Sequence, residues 1–589
     1  MSTLKAAASS VQIPAGPDMA IGGGIMPGYS AEQEGELRAS ALILEADTRV
    51  CIVSCDVLCL TRDICDRAAK SIEEHCGVAF DNVMITATHT HHAPTTFTVH
   101  GYSRDEKFAA DVEASIVQAA RQAAEYLDSA SAPNEVEAEF LFARGWEATV
   151  GRNSRFLLKD GTIAWGGHSE EEIVRPTGPY DPEMPVIAFR RPTGQLAAGI
   201  FVHANHNIGV RKDGRSPGFY GLAAQEAEQR HGAPFLFLPG AFGSTHPADL
   251  AVDERIHRVG AAIDDAMNRL RTGLRGPVKC VKVPFKFRVR RFDEGREDAA
   301  VSYWCNRWFD SAQASECIEV FRNMRRELAS RQGEEQETWL QVIRLGDIAV
   351  VGVPGEMFGS LGMAIRNLSP FRHTIVVGLA NDEIGYIADS EAMDLGGYQV
   401  WTGFHSILEK GAGEAMVDAC VDLLNRAAEE ASTEGARIRE IAEGDALRLQ
   451  TFYNTLDSPA KTLFHPIGWN ASLSDCENIV RQALAGKRHD LVIDCLGKIL
   501  GWAFASGLDS DHPTLGIGTS EELRGQGFGA RLTERVVEFV RRRGNKGIDL
   551  TVVRTNDRAR LLYERFGFKI TGTRTGADGL AYYEMRLEF

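Results

Sequence analysis

The sequence predicts an α/β protein in two parts: a large mixed α/β domain over residues 10–425 and a smaller α/β domain over residues 437–589. Three observations predict it. Short apolar runs alternate with amphipathic helical patterns through residues 10–425 and again over 437–589. A small, polar, acidic stretch at 426–436 interrupts that alternation and reads as a linker. At 589 residues the chain is also too long for one hydrophobic core.

Each element follows from local chemistry. Ala41–Glu45 and Val50–Ser54 predict a hairpin of buried strands, followed by a helix over Arg62–Cys76 and a strand over Asn82–Ala87. An amphipathic helix over Ala415–Leu424 closes the large domain. Beyond the linker the pattern reads strand (Ile438–Ile441), helix, two strands, a glycine loop, helix (Ala530–Arg543), strand (Ile548–Val553), helix (Ala559–Phe566) and one closing strand. Apolar residues make up 44% and charged residues 25%, with a mean hydropathy of −0.19, which suits a soluble protein. A formal charge of −17 argues against nucleic acid as a partner, because phosphate contacts need surplus Lys and Arg. No apolar run is long enough to span a membrane, and Met1-Ser2-Thr3-Leu4-Lys5 lacks a signal core. Eleven cysteines, among them Cys51, Cys55 and Cys59, form no CxxC pair. The expectation is a reduced, cytoplasmic protein with no membrane partner; its oligomeric state stays open.

The strand Thr514–Gly518 leads into Leu523, Arg524, Gly525, Gln526, Gly527, Phe528 and Gly529 at the mouth of a helix. Glycines there let several backbone N–H groups point one way, toward an anion, aided by the positive end of the helix dipole. No acidic residue follows a second strand at the distance a dinucleotide site needs. Downstream come Asn556-Asp557-Arg558-Ala559 and Tyr563-Glu564-Arg565-Phe566-Gly567-Phe568. The two runs, in this order, resemble motifs A and B of the GNAT acetyltransferases. The resemblance implies acetyl-CoA as co-substrate, with residues 523–529, Asn556 and Arg558 binding it. Tyr563 stands at the family's tyrosine, which donates a proton to the departing thiolate; packing as a helix-face aromatic is the other reading. Glu521 and Glu522 are acidic but carry no clear base assignment.

Four further segments end apolar strands with chemistry-bearing side chains: Thr88-His89-Thr90-His91-His92-Ala93-Pro94, His203-Ala204-Asn205-His206, Pro354-Gly355-Glu356, and Asn381-Asp382-Glu383-Ile384-Gly385-Tyr386 with Gly396-Gly397-Tyr398 beyond. Alone, each is commonly structural. Together they place His, His, Glu and Tyr at strand termini, which in one sheet can share a rim. In this order they resemble the neutral ceramidase family over residues 10–425. The resemblance implies a zinc ion held by His89, His206, Glu356 and Tyr386, with His91 and Tyr398 lining the pocket. Zinc with an open position lowers the pKa of bound water to about 7. His203 is the alternative to His206, and Asn153 and Arg155 lie near the family's substrate-oxygen segment.

The chain departs from that family where its serine turn should be. Gly243-Ser244-Thr245-His246-Pro247 puts Ser244 at the family's aspartate position and His246 at its serine. His246 then either serves as general base or is a turn histidine. The implied function is bifunctional: zinc-dependent hydrolysis of a small amide in the N-terminal domain, and acetyl transfer to a small amine in the C-terminal one. The alternative is an acetyltransferase whose large domain is a substrate-binding or protein-recognition scaffold.

Overall fold

The computed structural model describes residues 4–589 apart from 47, 273–277, 430–435, 457, 521–522, 524–526 and 577. Most of the expected linker and the centre of the glycine loop therefore lie outside the described residues. Among those described, no helix is long and apolar enough to cross a membrane. The chain divides into two units, Met1–Ser369 with His373–Ala427, and Ala428–Phe589 with Pro370–Arg372.

In the first unit the predicted hairpin forms from Arg38–Glu45 and Arg49–Cys55, flanked by Lys5–Gln12 on one side and by Val83–Ala87, in parallel, on the other. A second sheet runs Phe235–Pro239, Leu196–His203, Val186–Arg190, Glu139–Ala143, Arg271–Thr272. A third runs Val278–Arg288, Glu335–Leu345, Ile348–Gly352, His373–Val377. Period-2 alternation splits each central strand between two cores. Cys51, Val53 and Cys55 pack with the helices Arg62–Cys76 and Glu106–Ser129. Val50 and Ile52 face the other way, into a cluster shared with Ile200, Val202, Leu236, Val350 and Ile375 from the other two sheets. Phe201, Phe235 and Phe237 turn to a third core under Gly218–His231 and Val252–Asn268.

This layering positions the site. Each sheet contains one parallel pair: Arg49–Cys55 with Val83–Ala87, Leu196–His203 with Phe235–Pro239, and Ile348–Gly352 with His373–Val377. Parallel pairs deliver the carboxyl ends of both strands to the same side, where ligands of α/β sheets collect.

The second unit is a seven-stranded sheet in the order Arg437–Glu440, Arg488–Cys495, Lys498–Ser506, Thr514–Thr519, Gly547–Val553, Ala581–Glu588, Lys569–Thr575. Its core centres on Trp502, Tyr453, Phe452 and Ile479. Two expectations are corrected here. The single helix expected after the first strand is three, Ala446–Thr455, Ser458–Leu463 and Leu473–Leu484, because Pro466 and Gly468 break the run and Ser472 caps a new helix by accepting from Asp475 N. The closing strand is a hairpin of two, turning through Gly576 and Gly579. The Thr514–Thr519 and Gly547–Val553 strands run parallel and pair at Thr514↔Asp549 alone. Beyond that pair the backbone of Thr514–Thr519 has no strand partner on this side among the described residues.

Candidate functional site

His89 follows the strand Val83–Ala87 in left-handed backbone, φ 57°, an uncommon conformation for a side-chain-bearing residue and one that clusters at functional sites. Thr88 anchors the turn, its N–H donating to the Cys55 carbonyl and its hydroxyl to Asp56. Glu356 and Tyr386 are brought together by a two-residue parallel ladder in which they are direct partners. The asparagine of the Asn381-to-Tyr386 segment has its own task. Its backbone N–H donates to the Ile85 carbonyl, and its side-chain oxygen accepts from Ile85 N, which clamps this loop to the His89 strand.

The donor atoms converge. Glu356 Oε2 lies 3.2 Å from His206 Nε2 and 3.5 Å from His89 Nε2. The Tyr386 hydroxyl is 3.3 Å from His206 Nε2, and His91 Nε2 is 3.2 Å from His89 Nε2. His89 Nδ1 donates to the Leu58 carbonyl at 2.9 Å, and His91 Nδ1 to the Gly23 carbonyl at 3.0 Å. With the protons on Nδ1, both Nε2 atoms carry lone pairs, and these face each other and a carboxylate. Such an arrangement is unfavourable without a cation between the groups. The donor set of imidazoles, carboxylate and phenol is one that zinc accepts, and the separations resemble the edges of a tetrahedron built on bonds of about 2.0–2.1 Å. His89, His91 and His206 all offer ligand atoms within 4.8 Å of one another. The residues fit a metal, and His91 lies inside the donor cluster as well as beside it.

His203 is elsewhere. Its ring is completely buried, with Nδ1 2.5 Å from the Tyr220 hydroxyl and Nε2 3.0 Å from the Glu147 carbonyl. Both nitrogens are committed to the protein. His246 is exposed on the short strand Thr245–Pro247, and its ring stacks on His206 at 4.9 Å. Ser244 accepts from Gly359 N. Tyr398 is sandwiched between Trp165 and His405, with its hydroxyl 3.2 Å from His100 Nε2. Asn153 and Arg155 are engaged internally: Asn153 donates to Pro179, and the Arg155 guanidinium donates to Gln399, Ala392 and Gly396, bracing the loop that carries Tyr398.

A cavity of about 40 Å³ adjoins the cluster, lined by apolar Leu58, Phe97 and Val99 and by polar His100, Glu383 and His405. The last three were not singled out from the sequence as site residues. Glu383 could have been, since it sits three positions before Tyr386 in the same segment; His405 carries no such signal. Burial, and then the nearby Glu356, push the Glu383 carboxyl well above the usual range. Gly23 forms part of the wall at φ 109°, and a Cβ there would fall 2.6 Å from the His91 Cβ and 2.7 Å from its ring. Only glycine lets this loop accept the His91 proton.

In the second unit Gly527, at φ 80°, caps the helix Phe528–Arg543. Leu523 and Phe528 are buried, so of these two residues only backbone groups are offered to a ligand. Gly529 lies in the helix's first turn, while Arg524, Gly525 and Gln526, like Glu521 and Glu522, lie outside the described residues. Asn556 caps the next helix by accepting from Ala559 N, and Arg558 is exposed. Tyr563 is buried, which pushes its phenol up to about 12. Residues 452–568 match the model of the acetyltransferase (GNAT) family. The C-terminal unit is a GNAT domain. Its fold implies acetyl-CoA. A curated relative, the 5-NmdU N-acetyltransferase of Pseudomonas phage PaMx11, is 35% identical over 68 residues, or 12% of this chain. The chain spans 46% of that relative's length. The larger unit preceding the GNAT domain has structural likenesses instead. Neutral ceramidase from Pseudomonas aeruginosa is 17% identical, with a TM-score of 0.55, over 72% of this chain and 75% of that one. A ceramidase complexed with C2 gives 16% identity and a TM-score of 0.56, over 73% and 76%. At these identities the likeness is one of fold.

Proposed function

We propose that the chain is a bifunctional enzyme of small amine and amide metabolites, hydrolysing an amide in its N-terminal domain and transferring acetyl from acetyl-CoA to an amine in its GNAT domain. The observation that carries the first activity is the convergence of His89 Nε2, His206 Nε2, Glu356 Oε2 and the Tyr386 hydroxyl on one point. We assign these four as zinc ligands. Zinc held there would polarise an amide carbonyl and lower the pKa of a water molecule. We assign to His246, exposed and stacked on His206, the role of taking the proton of the attacking water on a ring nitrogen. The Tyr398 hydroxyl orients the substrate carbonyl by donating to it, and His91 lines the same cavity as a substrate contact. The cavity beside the cluster, about 40 Å³, suits a compact acyl part better than a lipid tail.

For acetyl transfer, the unpaired backbone of Thr514–Thr519 and the Gly527 helix start support acetyl-CoA binding. The amine nitrogen bonds to the thioester carbon, the carbon–sulfur bond breaks, and the thiolate takes the phenolic proton of Tyr563; the nitrogen gives up its surplus proton to water, from which the phenolate is reprotonated. Tyr563 carries that proton at neutral pH whether buried or not.

Elemental analysis of the purified chain tests the metal centre. One zinc per chain is expected, falling below about a tenth in H89A and in E356A; full retention in both variants would sink the assignment. H246A is expected to keep zinc and lose at least about tenfold in amide turnover, and unchanged turnover would make His246 structural. Efficient ceramide cleavage by the wild type would overturn the small-substrate reading.

A further inference from the structure

Adjacent acidic residues at the cavity have opposite fates. Asp382 is saturated: it accepts from Arg62 N at 2.9 Å, from the Thr338 hydroxyl at 2.7 Å and from Glu383 N at 2.8 Å. Glu383 is only 8% exposed, and its Oε1 accepts from Gly385 N at 2.7 Å. Its Oε2 has no hydrogen-bond partner among the described residues. Among the described residues, no lysine or arginine lines the cavity that Glu383 shares with Glu356, Tyr386 and Tyr398.

A buried carboxyl oxygen with neither donor nor counter-charge is costly, and native structures leave such atoms bare mainly where something else completes them. The loop's own conformation does not require it, since Asp382 and the Gly385 bond already hold the turn. One group supplies both missing items at once, a primary ammonium, whose positive charge favours the ionised carboxylate that burial alone disfavours and whose charge-assisted bond to it is among the stronger ones available.

We propose that Glu383 Oε2 is a recognition site for a substrate ammonium, so that the N-terminal domain acts on small amides whose acyl part carries a primary amine. This rests on the zinc reading above for the position of the scissile carbonyl. The cavity is small, about 40 Å³, which favours a short acyl part such as an aminoacyl group. Glu383 then discriminates between substrates and does not touch the bond that breaks.

The test uses amino acids as mimics of the acyl product. Glycine and propionate are one near-isosteric pair, β-alanine and butyrate another, each titrated calorimetrically into the zinc-loaded full chain. Each amino acid is expected to bind at least about tenfold more tightly than its partner, as a charge-assisted bond warrants. In E383Q the preference should shrink to within about twofold while zinc content stays unchanged. Equal affinities within both pairs in the wild type, or a preference kept in E383Q, would overturn the proposal. Ethylammonium, which offers a metal no carboxylate, is titrated alongside. Its binding to the wild type and not to E383Q supports Glu383 even if the chain holds no zinc, an outcome that sinks only the metal reading; no binding to a zinc-containing chain counts against Glu383 alone.

Discussion

His203 ends the strand Leu196–His203 and His206 lies three residues beyond it, and their surroundings separate them. His203 bridges Tyr220, Tyr180 and the Glu147 carbonyl, whereas His206 presents Nε2 to Glu356 and Tyr386. Replacing His203 by alanine strands buried polar partners and is expected to cost about 2–4 kcal/mol in unfolding free energy, with zinc retained. H206A is expected to lose zinc at a smaller stability cost in the metal-free protein. Denaturant unfolding and elemental analysis check both, and zinc lost from H203A but kept in H206A would reverse the assignment. The sequence made both histidines visible and ranked them by motif, but hydrogen-bond partners tens of positions away are not legible in a linear pattern. Glu383 escaped notice for the same reason: a glutamate in a polar loop segment looks solvated until neighbouring strands bury it.

Short elements set the site and the stability around it. The pairing of Glu356–Met357 with Tyr386–Ile387 is only two residues long, so the surrounding loop bonds must hold its register. At the start of Arg62–Cys76, Asp63 sits in the first turn, where the helix dipole favours a negative charge. Burial raises its pKa, but bonds from Thr61, Arg104 and Arg67 outweigh this and hold it at about 2 against a usual 3.8. A depressed carboxylate pKa stabilises the fold above the unfolded value, and that contribution fades as pH falls through about 2. Asp63 is about half exposed, so D63N is expected to cost no more than about 1 kcal/mol at pH 7. The difference from wild type should vanish in acid melts near pH 2; a gap that persists there would mean the side chain acts through packing. In the GNAT domain, Gly527 has left-handed backbone, so G527V strains the helix start and fills the approach to its N–H groups. It is expected to abolish the thermal shift given by acetyl-CoA, and a shift equal to wild type would remove this residue from the cradle.

At the scale of the whole molecule, the seven-stranded sheet and its core of Trp502, Tyr453 and Phe452 close on themselves. A fragment of residues 437–589 is therefore expected to fold and to gain about 2–4 kcal/mol from acetyl-CoA at 100–1,000 times its Kd. A folded fragment with no thermal shift at saturation would contradict the cofactor reading. The sequence by itself determined the strand runs, the Arg62–Cys76 helix, the GNAT motifs and the residues that end the strands. These rest on local physics: period-2 and period-3.6 burial, glycine where φ is positive, caps beside helix starts. The tertiary structure alone decided that three sheets share one core, and that Glu356 faces Tyr386 in register. It also decided that His206 meets a tyrosine 180 positions away while His203 does not. Those outcomes depend on which faces pack and which carboxyl ends meet, and packing between distant segments leaves no periodic trace in the chain.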